Sequence, residues 1–335
     1  MRNFIVDDLT ESDIDHAVGI WIDQNRRYCS NDDAFPAFWR NNSDEIARFL
    51  QARIQRKAAR ALRLPGDGTN LCGYLVYDKF PFNGEMSTFC PALAHAVVEE
   101  HKEAGYLALY RGVSQEWVNQ NILNHMWTIN FNDLKLRNVL YDLGFGSYVI
   151  DAFACSDAKI DCAFAGSSSF MINKASESEA EALYDLVEES RLHYSAAPIF
   201  LKREPFQMDD LRKLIKESNV FIAWDNKKAI GFINVSISEE NNSIEMSMRN
   251  DGLIDEIGVY IQPGYRGGKG LGKQLLTAAF DYCRNNGIPR IHVDFETANS
   301  YANRFWRKDF SPMLLSVRRT INKNINTNDT NDTND

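Results

Sequence analysis

The segment 258–276, GVYIQPGYRGGKGLGKQLL, constrains this chain more than any other. An apolar, strand-like stretch runs into a turn with glycines at 264, 267, 268, 270 and 272, and then into a helix. Glycine lets a backbone approach a ligand closely. A turn that opens a helix also gathers N–H groups at the positive end of the helix dipole, where phosphate is favoured. The plain alternative is a tight strand-to-helix turn with lysines for solubility. It leaves so many glycines beside Arg266, Lys269 and Lys273 without a reason.

Two phosphate motifs compete for the segment. Gly267 to Lys273 has the GxxxxGK spacing of a Walker A loop, but Gln274 follows where Ser or Thr would hold magnesium. No strand ending in Asp follows at a Walker B position, so the nucleotide triphosphatase reading loses.

Around the loop the second half alternates strands and helices. The pattern predicts a strand at 170–175, then Ser176 as helix cap with Glu179 as its capping-box partner. The helix that follows puts Ala182, Leu183, Leu186 and Val187 on one face. A helix is predicted at 207–218, strands at 220–224 and 229–237, a polar loop at 239–250, and a strand at 253–261. A helix at 271–286, a strand at 291–295, a short helix at 302–308 and a strand at 313–320 complete the order. This is a mixed α/β sheet with helices on both faces.

With these elements in place, the loop resembles the pyrophosphate loop of the GNAT acetyltransferases, Q/R-x-x-G-x-G/A. Pro263, Tyr265, Arg266, Gly267, Gly270, Leu271 and Gly272 stand in the family's order, with Arg266 one residue early relative to Gly270 and Gly272. The family's downstream pattern is present too, as Asn299, Ala302, Phe305 and Trp306 after the strand IHVDF.

The resemblance implies acetyl-CoA as cofactor, bound by Arg266, Gly267, Gly268, Lys269, Gly270, Leu271, Gly272 and Lys273, with Asn299, Ala302, Phe305 and Trp306. It further implies that the strand before the loop splays from its neighbour at Gly258. The backbone of Val259 and Ile261 is then open to the pantetheine arm, and a backbone N–H polarises the thioester that an amine attacks directly. Glu256 is the first candidate for general base, with Asp255, Asp294 and Glu296 as rivals; His292 is expected to face solvent. The Tyr that the family often uses as general acid is replaced by Trp306, or by Phe305 in the other alignment. Either Tyr301 donates the proton or CoA leaves as thiolate. The catalytic set is thus Glu256, Asn299 and Tyr301, with no metal.

The first half resembles the same fold in degenerate form. Tyr141–Phe145 echoes Trp306–Phe310 at equal spacing, and where a glycine-rich loop is expected the chain reads LYRGVSQEWVNQN, with Gly112 alone. The expected organisation is two GNAT-like domains in tandem, each a twisted, mostly antiparallel sheet flanked by helices. The first covers 1–163 without a pyrophosphate loop, the second 168–323 as the acyl-CoA-binding catalytic domain, and 324–335 is a disordered tail.

Composition narrows the partners. A net charge of −9 argues against nucleic acid, and no run approaches the ~18 apolar residues that span a bilayer. An N-terminus that meets acidic residues before any long apolar run is not expected to be a secretory signal. The six cysteines (29, 72, 90, 155, 162 and 283) form no CxxC pair, as in a reduced cytoplasmic protein. The expected function is N-acetyl transfer to a primary amine of a small molecule by a monomer or homodimer. The alternative is a catalytically weak acyl-CoA sensor or scaffold.

Overall fold

The computed structural model describes residues 4–29, 33–66, 71–160, 170–267, 270–323 and 325. Gly268, Lys269, Cys162 and nearly all of the 324–335 tail lie outside the described residues.

In the first half β1 (Ile5–Asp8) leads to α1 (Ile14–Cys29), α2 (Ala37–Asn41) and α3 (Ser43–Gln55). β2 (Ala59–Arg63), β3 (Leu71–Val76), β4 (Asp78–Phe82), β5 (Glu85–Cys90) and β6 (His95–Val97) follow. α4 (Lys102–Asn119), β7 (Asn124–Asn130), α5 (Leu134–Asp142) and β8 (Gly146–Cys155) complete it. The second half runs β9 (Met171–Lys174), α6 (Ala180–Ser195), α7 (Met208–Glu217), β10 (Asn219–Asp225), β11 (Lys228–Ile237), β12 (Gly252–Ile254) and β13 (Val259–Ile261). It ends in α8 (Leu271–Asn285), β14 (Arg290–Glu296), α9 (Ser300–Trp306) and β15 (Ser311–Thr320).

The two orders correspond closely, the first half carrying one more helix before its run of strands and one more strand within it. Each half opens with a strand and a capping box, Thr10 with Asp13 and Ser176 with Glu179, before a helix of 16 residues. Each closes with a helix capped by a side chain that accepts from the backbone N–H three residues on, Asp133 from Leu136 and Asn299 from Ala302. The chain is a tandem repeat of one mixed α/β fold. The repeat also corrects one expectation: LYRGVSQEWVNQN is mostly the body of α4, and the true counterpart of the glycine-rich loop is the short junction 98–101. Gly112 is a packing residue, since a Cβ there would meet Val6 Cγ1 at 2.8 Å.

Two compact units divide the chain, and each borrows from the other half of the sequence. The first comprises Met1–Ile150, Ser243–Met246 and Met313–Asp335; the second Asp151–Asn242 and Ser247–Pro312. In the first unit β15 pairs antiparallel with β7, Leu314 opposite Asn130 through to Thr320 opposite Asn124. Met313, Leu314, Leu315 and Val317 are buried there, at roughly 1.5–3 kcal/mol for each large apolar side chain. Arg319 donates to Tyr110 Oη at 3.0 Å. The core of this unit holds Trp39, Trp117, Trp127, Tyr74 and Tyr106, with His95 and His125 buried and hydrogen-bonded among them.

In the second unit the strands run β9-β10-β11-β12-β14, with β8 beyond β14 and β13 on β11. Asp151–Cys155 of β8 belongs here, and Ser156 N–H continues the pairing to Pro289 O at 3.0 Å. One face of the sheet is covered by α6 and α7 through Leu183, Leu186, Leu211 and Ile215 on Ile222, Phe232 and Tyr260. α8 buries Leu271, Leu275, Leu276, Ala279, Phe280 and Cys283. No helix among the described residues is long and apolar enough to cross a membrane.

Candidate functional site

The strand predicted at 253–261 is split, and the split builds the site. β12 pairs in parallel with β14, the last partners being Ile254 and Val293. Residues 255–258 then bulge, with left-handed φ of 55° at Glu256 and 64° at Gly258. Beyond the bulge the chain pairs only with β11, as β13. Polar groups of β11 pin the bulge: Asn234 N–H donates to Gly258 O at 2.9 Å, and Ser236 Oγ donates to the Asp255 carboxylate at 2.8 Å. β14 meanwhile continues to Glu296. The two strands therefore part after Val293, as expected.

The register decides which amides face the gap. Asn234 N–H bonds Gly258 O, and Gln262 N–H bonds Ile230 O. Counting alternately from these, Tyr260 faces Phe232 as a hydrogen-bonded pair. Val259 and Ile261 then turn their backbone groups away from β11. The carbonyl of Ile261 accepts from Arg266 Nε at 2.7 Å. The Arg266 guanidinium lies 5.1 Å from the Tyr260 ring and 5.9 Å from that of Tyr301.

The loop ends at Gly270, whose φ of 76° only glycine adopts without strain, as at Gly267 with 73°. No side chain caps α8 and its first turn carries no acid. The dipole end of α8 is thus offered to a ligand rather than neutralised internally. Gly272 is required by packing: a Cβ would stand 2.9 Å from Phe305 Cε2. Leu271 is buried, and Lys273 is also buried, with its ammonium ion-paired to Asp309. Tyr265 Oη donates to Asp225 at 2.7 Å, tying the loop to the β10–β11 hairpin. A glycine cradle, an uncapped helix start and two outward-facing strand amides fit a pyrophosphate with an extended amide-bearing arm.

The other predicted residues fall in different places. Asn299 is buried and acts as the cap of α9, with its Oδ1 accepting from Ala302 N–H at 3.1 Å. Trp306 is buried against Phe310, with ring centroids 5.2 Å apart, and Phe305 packs beside it. Tyr301 is 65% exposed. Glu256 is exposed and lines a recess with Leu214, Glu217 and Ser218. His292 does not face solvent as expected. It is buried, with Nε2 3.2 Å from the Asp151 carboxylate and its ring 4.9 Å from that of Phe153, both side chains coming from the neighbouring strand β8.

His292, Asp294 and Glu296 alternate along β14 and so share one face. Asp294 reaches solvent, yet protein surrounds it closely enough that burial, with Asp151 next, pushes its carboxyl up to about 6. Over the same face stands Tyr194 of α6, with the guanidinium of Arg203 stacked on its ring at 3.5 Å. Arg203 Nη2 reaches Glu296 Oε1 at 3.5 Å. Nearby, Glu189 accepts from Gln262 Nε2 at 2.8 Å. Burial, followed by the charge of Arg266, holds His193 below its usual value. Asp151 was not among the residues that the sequence singled out. Its only signal there is a lone carboxylate in the apolar run VIDAFAC.

Residues 181–311 match the acetyltransferase (GNAT) family model. No curated protein sequence matches the chain. Among solved structures it is similar to a GCN5-related N-acetyltransferase from Sphaerobacter thermophilus, at 12% identity and a TM-score of 0.56, over 96% of this chain and 97% of that one. It is also similar to a GCN5-related glucosamine N-acetyltransferase region in a fungal multi-domain GH3 β-N-acetylglucosaminidase. That match has 13% identity and a TM-score of 0.51, and covers 95% of this chain and 38% of the other. At such identities the likeness is one of fold, and it spans both halves. Residues 181–311 thus form a domain of the GNAT acetyltransferase family, and the likeness of fold extends over the rest of the chain.

Proposed function

We propose that this protein transfers an acetyl group from acetyl-CoA to the primary amine of a small molecule, in a single complex holding both. The observation that carries the reading is the parting of β13 from β14 directly above an uncapped, glycine-cradled helix start. Acetyl-CoA, when bound, supplies a thioester open to attack by an amine.

The chain's own residues have separable tasks. The amides around Gly267, Gly270, Leu271 and Gly272 hold the pyrophosphate, with Gly268 and Lys269 assigned to the same loop from sequence. The backbone groups of Val259 and Ile261 hold the pantetheine arm in register. Arg266 stiffens the mouth by bridging Ile261 O, Tyr260 and Tyr301. Phe305, with Ala302 and Trp306 behind it, backs Gly272 and keeps the cradle narrow. Lys273, paired with Asp309, braces the first turn of α8.

Asp294 is the preferred general base. An acceptor arriving as ammonium must lose a proton, and a carboxyl at about 6 is ionised at neutral pH yet basic enough to take it. It also lies on the open face of β14, whereas Asp255 is held by Ser236. Glu256 is the second candidate, reached from the recess on the α7 side. Tyr301, exposed beside Arg266, is the hydroxyl available to protonate the departing thiolate. The acidic face suits a cationic acceptor.

Thermal unfolding with acetyl-CoA, CoA, and ATP with magnesium tests the reading. A ligand at about a hundred times its Kd adds roughly 2.7 kcal/mol, so both coenzymes should raise the melting temperature and ATP should not. Stabilisation by ATP alone sinks the proposal. Thiol release over an amine panel then separates an enzyme from an acyl-CoA sensor that binds without turnover.

A further inference from the structure

Arg203 lies in the segment between α6 and α7, and its guanidinium is held by two things at once. It lies over the Tyr194 ring, 3.5 Å from its centroid, and reaches Glu296, whose side chain is 10% exposed against 36% for Arg203. A ring face and a carboxylate are the two groups that bind an organic cation. Around them stand Asp294, and Asp151 with its partner His292. The residues that would receive an ammonium are therefore already occupied by a cation belonging to the chain itself.

We propose that Arg203 is the specificity-determining residue of the acceptor site: in the free protein its guanidinium fills the cation subsite of Tyr194 and Glu296, and a cationic acceptor binds by displacing it. This rests on the function proposed above for its location, but not on coenzyme binding. An acceptor then needs a positive charge it can place against Tyr194 and Glu296. A diamine satisfies this with one ammonium while presenting the other nitrogen to Asp294. An acceptor carrying a carboxylate gains nothing from these two residues.

The geometry has a second consequence. The charge of Arg203 also favours the ionised form of Asp294. Its removal therefore raises the pH at which Asp294 loses its proton. A residue that merely packed against Tyr194 would leave that titration in place.

The test compares wild type with Arg203→Gln and Arg203→Lys, using calorimetric binding of 1,4-diaminobutane, n-butylamine and 4-aminobutanoate to the protein without coenzyme. Freed of its internal competitor, Arg203→Gln should bind the diamine about five- to thirty-fold more tightly. Its gain for 4-aminobutanoate should be smaller than for n-butylamine or the diamine, because that ligand's carboxylate meets Asp294 and Asp151 once Arg203 is gone. The carboxyl carbon signal of Asp294 should titrate at higher pH in Arg203→Gln and near the wild-type value in Arg203→Lys. Weaker diamine binding by Arg203→Gln overturns the proposal, as does no diamine binding at millimolar concentration. Preferred binding of 4-aminobutanoate by wild type that is lost in Arg203→Gln also overturns it, making Arg203 a carboxylate receptor. The melting shift with CoA is read separately, so a failed coenzyme site and a failed cation subsite give different results.

Discussion

The junction 98–101 and the junction 262–270 occupy the same place in the repeated fold, between a strand and the long helix that follows. In the first half four residues connect β6 to α4. Two of them are Glu99 and Glu100, and the Glu99 carboxylate sits at the helix start, 2.6 Å from Lys135 Nζ and 3.3 Å from Lys102 Nζ. In the second half nine residues make the connection, with left-handed glycines at 267 and 270, and no acid lies in the first turn of α8. Every helix start attracts negative charge. Here one copy meets that demand with its own carboxylate, and in the other no side chain caps the helix. The difference between scaffold and site is one of loop length and glycine placement, on an otherwise shared frame.

The lysines divide in the same way. Lys102 and Asp133 form an ion pair in which both side chains are 1% exposed, with Tyr28 Oη 2.6 Å from the ammonium. The first copy thus holds a buried charge pair between the start of its long helix and the cap of the helix that follows β7. In the second copy the equivalent helix cap is the neutral Asn299.

The most severe way to break this contrast is Gly270→Val. A branched residue cannot hold φ of 76° without strain, so the melting shift with CoA should vanish while the protein still folds. An undiminished shift would mean that the loop is not the cradle. Next comes Asp294→Asn, which should cut kcat by about 10²- to 10⁴-fold and leave CoA binding intact. In wild type the acid limb of kcat/KM should fall at about pH 6, since the base works only when ionised and its carboxyl is pushed up to about 6. A limb near pH 4 would mean that a carboxylate other than Asp294 is the base.

Asp133→Ala tests the other copy. It should cost about 3–5 kcal/mol in urea unfolding, because a buried ammonium loses its partner, with no change in the Kd for CoA. A mild loss would show that the neighbouring Glu99 carboxylate, 3.3 Å from Lys102 Nζ, compensates for the missing partner. The first unit should also be the acid-sensitive one. Burial pushes His95 and His125 down to about 4. The unfolded chain therefore takes up protons near pH 6.5 before the folded one does. Stability should fall as pH drops from about 6.5 toward 4, and replacing both histidines with Gln should flatten that slope. The smallest effect is expected from Asn299→Ala, about 1 kcal/mol for a lost helix cap, with CoA affinity changed little. A large loss of turnover without loss of stability would return Asn299 to the catalytic set.

Much of the second half was legible because its signals are local. Ser176 with Glu179, the turn at Asn226 (φ 56°), Gly287 (φ 69°) and the glycine-rich loop each act within a few residues of themselves. The break at 255–258 was legible too, through Gly258. The first half was harder, since its helix start carries no glycine and its closing echo is a single pattern. Residue roles read from the family order diverged from the packing at Asn299, which caps a helix, and at Lys273, which pairs with Asp309.

By itself the sequence determined the order of elements in the second half, the cap at Ser176 and the presence of a glycine-rich strand-to-helix loop, because each depends on backbone preferences and hydrogen bonds between near neighbours. Only the tertiary structure decided that Asp151–Cys155 joins the second unit and Met313–Thr320 the first. The same holds for the gathering of Tyr194, Arg203, Asp294 and Asp151 on one face of β14, and for the burial of His292. Strand pairing and charge clustering join residues more than a hundred positions apart, as with Asp151 and His292. No local rule along the chain specifies such pairs; they follow from which apolar faces can be covered together.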